Sequence, residues 1–322
     1  MRMVRFIISR LISTIPVLFG VSVVVFLLIQ LIPGDPAKSI LGGDATPEAV
    51  AELRQEMGLD DPLYSQYVDW LMRLAGGDLG YSYTLSSEIA PQIIPRFMNS
   101  LILTAASIVI CVVLGVGLGL LSALTKGSWF DRISMGIASI GASMPVFWIA
   151  LMLMWLFAIK IGMFPVSGMY NMRNPGGLPD LLHHLILPAF ATATVSIAVI
   201  ARLSRNTFID TLHKDYVGYF RAFGLSEGRI NVVHVLRNSL QPILNISGLQ
   251  VGYIIGGALF SEAVFNWPGI GQGLYIAITS NDYQMIQAGV LLIAVAFVFV
   301  NLLVDVVNVM IIPKLKDAIK RS

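Results

Sequence analysis

Six stretches of this chain are apolar over the ~20 residues a helix needs to cross a lipid bilayer. They fall at roughly 11–32, 99–124, 133–159, 186–201, 242–261 and 287–312, and their central portions hold no Asp, Glu, Lys, Arg or His. Glu262 and Asp305 lie near span ends. Only 12% of the 322 residues are charged and the mean hydropathy is +0.77. A soluble globular protein carries about a quarter charged residues, so the pattern defines a polytopic, all-α membrane protein. Length alone suggests two domains. Six helices in one bilayer bundle count as one, and residues 1–322 are expected to form a single transmembrane domain.

Arg2, Arg5 and Arg10 precede the first apolar run. That run is longer than the apolar core of a signal peptide, and no small-residue cleavage site follows it, so it reads as a retained first span. Orientation follows from Lys and Arg in the flanking segments. With the N-terminus inside, fifteen basic residues fall on the inner side and six on the outer. The inner set includes Lys126, Arg132, Lys314, Lys316, Lys320 and Arg321. Both termini are therefore expected to be cytoplasmic. The single cysteine, Cys111, lies in an apolar span and allows no intrachain disulfide.

Residues 33–98 then form an extracytoplasmic region with ten acidic and four basic residues. Thr46 is placed as an N-cap with Pro47 at the first helical position, predicting a helix to Met57 that stops at Gly58. A second helix is expected from near Pro62, with Tyr64, Tyr67, Trp70, Leu71 and Leu74 at helical spacing. That aromatic stripe could face substrate, but it better suits packing on the outer ends of the spans or the membrane interface, where Tyr and Trp are favoured. An acid-rich region also suits docking of a soluble partner.

A polar island at 202–241 separates the fourth and fifth spans and holds Arg202, Arg205, Lys214, Arg221, Arg229 and Arg237. Within it, Asp215, Tyr216, Arg221 and Ala222 fall on a helical patch. Gly224, Leu225, Ser226 and Glu227 follow as a turn. A short helix tethered at both ends to membrane spans suggests a docking element that transmits force into the bilayer.

Small residues let helices approach closely in lipid, where no hydrophobic effect drives them together. Gly248, Gly252 and Gly256 recur every fourth residue in the fifth span, and Gly115 and Gly119 do so in the second. Both sets are candidate packing or sliding seams. Pro145, near the middle of the third span, is expected to kink it, with Ser139 and Ser143 placed to satisfy freed backbone groups. Pro188 and Pro242 are expected to mark the beginnings of the fourth and fifth spans. Glu262 is a candidate for binding a cationic group at the outer mouth of a translocation path; the other reading, which the position favours, is a carboxylate hydrogen-bonded at a helix end.

Much chemistry is missing. There is no Gly-x-x-x-x-Gly-Lys-Ser/Thr loop for ATP and no Cys/His cluster with zinc spacing. The adjacent pair His183-His184 does not face one site on a helix, and no nucleophile lies beside a base in the pattern. An enzyme, a bound cofactor and a metal site are not expected. A proton- or sodium-driven carrier usually places ionisable residues inside the bundle, and these spans lack them. A transporter without its own energy source needs an external motor.

Several motifs converge at this point: Arg10 to Pro16; Pro33-Gly34-Asp35-Pro36-Ala37; Gly58 to Tyr64; Gly77 to Ser82; Ser143-Met144-Pro145-Val146-Phe147-Trp148; and Trp267-Pro268-Gly269-Ile270-Gly271 followed by Asp282-Tyr283. Over essentially its whole length the chain resembles the permease subunits of binding-protein-dependent ABC importers. It is most similar to the first permease of the dipeptide/oligopeptide/nickel branch.

The resemblance implies that Asp215 to Glu227, continuing through His234 to Asn238 and ending at Pro242, seat in a cleft on an ATPase subunit. It implies two ATPases that hold ATP and magnesium, a second homologous permease and an extracytoplasmic binding protein, all at a bacterial or archaeal cytoplasmic membrane. Peptides are the expected cargo, with nickel chelates, metallophores, glutathione and opines as alternatives on the same fold. A self-sufficient carrier is the reading from another class. Phe220 and Phe223 depart from the family pattern, where those positions are more often small and basic respectively, and they could enlarge an apolar contact with the motor.

Overall fold

The computed structural model describes residues 2–31, 35–41 and 45–311. The Pro33-Gly34 motif and the basic residues Lys314, Lys316, Lys320 and Arg321 lie outside them. In order, the elements are α1 (Arg2–Gln30), α2 (Pro36–Leu41), α3 (Pro47–Glu56), α4 (Leu63–Ala75), a hairpin of β1 (Tyr81–Ser82) and β2 (Ser87–Glu88), α5 (Ile89–Leu124), α6 (Trp129–Ser143) and α7 (Val146–Leu153). There follow α8 (Leu178–Leu212), α9 (Asp215–Ala222), α10 (Glu227–Arg229), α11 (Leu236–Phe265), α12 (Ile270–Thr279) and α13 (Tyr283–Ile311). Wider π-helical turns extend α7 through Met154–Lys160 and lead into α11 at Ile230–Val235.

Among the described residues, five helices are long and apolar enough to cross a membrane; a sixth is counted if α6 and the helix after it form one span. Those two are bent by 115°. The expected kink is therefore a break. Proline clashes with a preceding residue in helical conformation, and Met144 accordingly lies extended at φ −95° and ψ 139°. Pro145 becomes the N-cap of α7, its carbonyl accepting from the N–H groups of Trp148 and Ile149. Ser139 and Ser143 donate to the carbonyls of Met135 and Ser139, at 2.9 Å each.

Two further expectations are corrected. Pro188 lies ten residues inside α8, which starts at Leu178 with Pro179 in its first turn, and Pro242 lies inside α11. Neither marks a helix beginning. Their lost bonds fall within long helices whose other bonds hold, and the Pro188 carbonyl accepts from the hydroxyls of Thr192 and Ser261. The segment between α1 and α5, expected as a helical region, does hold α3 and α4 and adds the short hairpin, which the sequence did not indicate. Finally, the second span starts about ten residues early: α5 begins at Ile89 and carries Pro95 inside it.

The described residues pack as two compact units. One is built on Ser100–Trp267 with the chain from Val300, the other on Val4–Asn99 with Pro268–Phe299. In the first, α8 is the central helix. Two thirds of its most apolar window is buried, against 17% for α1 and 11% for α13. Its buried Ala189, Ala191, Ala193, Ala198 and Ala201 have side chains short enough for neighbours to come close.

In the second unit, Thr46 caps α3 as expected, its Oγ1 accepting from the Ala49 N–H at 3.3 Å. The aromatic stripe of α4 turns onto α1. Tyr67 shares a 2.8 Å hydrogen bond with Ser22, and the rings of Tyr67 and Trp70 lie 5.3 and 6.1 Å from that of Phe26.

Candidate functional site

The chain leaves α8 through His213, whose ring nitrogen bonds the Ile209 carbonyl at 2.7 Å. Lys214 then takes an extended conformation and caps α9. Asp215 in the first turn and Arg221 in the last suit the positive and negative ends of the helix dipole. Gly224 ends the element at φ +76°, a left-handed conformation that glycine adopts without a Cβ clash. There its N–H donates to the Arg221 carbonyl, and the next, of Leu225, to that of Phe220.

Arg221 clasps Glu227 across the turn, with Nε to Oε1 at 2.6 Å and Nη2 to Oε2 at 3.2 Å. The hydrogen bond to Glu227 and its charge raise the Arg221 pKa further above its ordinary value. Both side chains are exposed, so the pair shapes the turn more than it stabilises the protein.

Underneath, Val217 is fully buried in a cluster with Ala123, Phe208, Ile230, Val235 and Ile243. The two departures from the family pattern separate here. Phe220 turns inward, with its ring 4.2 Å from that of His234 and 5.7 Å from that of Tyr216. Phe223 turns outward and is 81% exposed, with Tyr219 at 65%. The structure thus brings Asp215, Tyr216, Arg221, Ala222, Gly224, Leu225, Ser226 and Glu227 into one folded-back element. It presents two large aromatic side chains and is anchored by an apolar core.

The two glycine sets differ. A Cβ on Gly115 would lie 2.7 Å from Ile200 Cγ2, and one on Gly119 would lie 2.6 Å from Ser204 Cβ and 2.7 Å from the Ala201 carbonyl. Here α5 and α8 touch backbone to backbone. In α11, Gly248 is buried, Gly252 half-buried and Gly256 exposed with nothing within 4 Å of an added Cβ. Glu262, considered for an outer mouth, is fully buried. Its carbonyl accepts from the Trp267 N–H at 2.9 Å, where Asn266 closes the helix in a left-handed conformation.

His183 bonds the Met163 carbonyl at 2.8 Å, and His184 pairs with Asp180 at 3.0 Å. Among the described residues no group of three or more His, Cys, Asp or Glu could hold a metal ion. In the second unit a cavity of about 430 Å³ is lined by Asp61, Asp69, Trp70, Arg73, Asp78 and others.

One buried pairing includes a residue outside the candidate set. Asp131, at the start of α6, is 3% exposed and accepts a two-pronged contact from Arg205 of α8, at 2.6 Å from Nε and 2.7 Å from Nη2. The one local signal was Ser128 three residues before Asp131, the spacing of a capping box. Ser128 does accept from the Asp131 N–H, at 3.2 Å.

Several membrane-length helices, with a folded-back helical element in the chain between the two most buried of them, define an integral membrane protein. Residues 115–317 match the family described as binding-protein-dependent transport system inner membrane component, and residues 3–104 match its N-terminal family. The chain belongs to that family.

Relatives include the dipeptide transport system permease protein DppB of Alkalihalophilus pseudofirmus, 40% identical over 98% of this chain and 100% of that one. The di/tripeptide transport system permease protein DppB of Pseudomonas aeruginosa is 39% identical over 98% and 99%. The glutathione transport system permease protein GsiC of Escherichia coli is 38% identical over the same shares. Among solved structures, inward-facing MetNI, a methionine ABC transporter, matches with a TM-score of 0.53 at 16% identity, over 69% of this chain and 96% of that one.

Proposed function

We propose that this chain is the permease subunit of an ATP-driven ABC importer and that its cargo is peptides. It forms half of a translocation path, and a second homologous permease forms the other half. Two ATPase subunits hold ATP and magnesium; this chain holds no cofactor and performs no catalysis. A soluble binding protein delivers the substrate from outside. Each state of such a machine is biased by whichever of nucleotide and binding protein binds it better.

The observation that carries this reading is the α9 element. It continues directly from the most buried membrane helix, is fixed by Val217, and exposes Tyr219 and Phe223. Exposed large aromatics on a short rigid helix suit seating in a partner's cleft. The dipeptide, di/tripeptide and glutathione transport named for the relatives supports peptide-like cargo. The charge bias supports six spans with both termini and α9 at the cytoplasmic face of the cell's inner membrane.

The test is gentle detergent purification of the tagged chain from its native cells, followed by reconstitution of whatever comes with it. Two ATPases, a second permease and ATP-dependent uptake of di- or tripeptides are the expected result. A chain that purifies alone and transports alone overturns it in favour of a self-sufficient carrier.

A further inference from the structure

We propose that Asp131 and Arg205 form the joint through which movement of the α9 element reaches the broken third span, which makes them positioning residues for transport. The proposal rests on the reading of α9 as the docking element. The Asp131 side chain is 5% exposed and that of Arg205 22%, and both carboxylate oxygens are engaged by the guanidinium fork. Asp131 Oδ2 also accepts from the Gly127 N–H at 2.9 Å, so the α5–α6 turn is fastened to the same point.

A buried ion pair adds little net stability over an apolar contact of the same shape, because desolvation cancels most of the attraction, although removal of one partner alone is costly; what the pair sets here is geometry. A two-pronged arginine contact fixes both distance and orientation, which a single apolar contact does not.

The surroundings make this a joint and not an isolated clasp. On another side of the same turn of α8, a Cβ on Gly119 would lie 3.0 Å from the Arg205 backbone nitrogen. The neighbouring Ser204 hydroxyl is buried with no partner among the described residues. One turn earlier Arg202 reaches Ser139 of α6 at 3.3 Å. From Arg205 to the end of α8 at Leu212 is about 10 Å of unbroken helix, and α9 begins three residues on. From Asp131 to the end of α6 at Ser143 is about 18 Å of helix, ending at the 115° break. A push on α9 thus acts on a rigid arm clamped at Arg205, and the clamp's partner is the base of the arm that ends at the break.

The experiment uses the full complex in proteoliposomes and measures three quantities: ATPase subunits retained, ATP hydrolysed, and substrate carried per ATP. With Asp131→Asn, subunits stay bound and hydrolysis stays within about twofold, while transport per ATP falls about tenfold. Arg205→Lys keeps the charge and loses the fork. It guards against a folding failure of the first variant and is expected to lower transport per ATP about threefold. Unchanged transport per ATP in both variants overturns the proposal. So does a fall in transport strictly proportional to lost complex, which would make the pair structural only. Wild-type chain that retains no ATPases, or carries substrate without ATP, instead sinks the docking reading beneath the proposal.

Discussion

The side-chain amide of Asn238 donates to the hydroxyl oxygen of Tyr216 at 3.0 Å. Tyr216 belongs to the first turn of α9 and Asn238 to the first turn of α11, so α9 is held to the helix that follows it as well as to the one that leads into it. Tyr216→Phe removes this bond and keeps the ring contact with Phe220. A net hydrogen bond contributes about 1 kcal/mol, so amide exchange in residues 215–222 should speed up severalfold while the rest of the chain is unchanged. Hydrogen-exchange mass spectrometry reads this directly, and an unaltered exchange rate would mean that the cluster around Val217 alone holds the helix.

The two phenylalanines of the element should respond in opposite ways. Phe223→Ala touches an exposed ring and should leave the melting temperature unchanged while weakening ATPase attachment by about tenfold, the effect of losing one good interface anchor. Phe220→Ala empties a contact with Tyr216 and His234 and should cost about 1–3 kcal/mol of stability. Paired measurements of thermal unfolding and ATPase co-purification separate them.

Gly119→Val should force α5 from α8, because its Cβ meets Ser204 and the Ala201 carbonyl. Overpacking of this kind costs about 1–3 kcal/mol. Gly117→Ala is the control: nothing lies within 4 Å of its added Cβ, and alanine favours the helix by about 1 kcal/mol. Thermal unfolding in detergent should move down for the first and stay or move up for the second.

Acid should loosen the start of the segment after α1. Burial pushes the Asp35 carboxyl upward, but hydrogen bonds from Arg54 and the Ala37 N–H, with the Arg54 charge, outweigh it and leave the pKa below the ordinary aspartate value. Arg54 Nη1 lies 2.9 Å from Asp35 and its Nη2 2.7 Å from Asp60. A depressed carboxylate stabilises fully above its unfolded pKa, about 3.9, and that contribution is lost as pH falls through the lower folded value. Limited proteolysis between residues 45 and 75 should therefore accelerate below about pH 4. Arg54→Gln should flatten the dependence; if it leaves the dependence intact, another group is responsible.

The features legible in the chain were local ones. A membrane-length apolar run, the Thr46-Pro47 helix start, the Gly224 turn and the small residues at Gly115 and Gly119 each follow from a few adjacent side chains and their own conformational limits. Those limits act along one dimension, where a sequence can be read. Even the position of the break between α6 and α7 was marked by Pro145, although its 115° angle depends on how the two halves pack.

What remained hidden was set by faces and distant partners. Phe220 and Phe223 are three residues apart, one in the last turn of α9 and one capping it, and their letters do not say which ring meets His234 and which meets solvent. Glu262 near a span end could as well have opened outward; packing buried it. Asp131 and Arg205 are separated by 74 positions, and nothing in the residues between them links the two. Desolvation and charge pairing are properties of three-dimensional neighbourhood, so only the approach of α6 to α8 turned two surface letters into a buried joint.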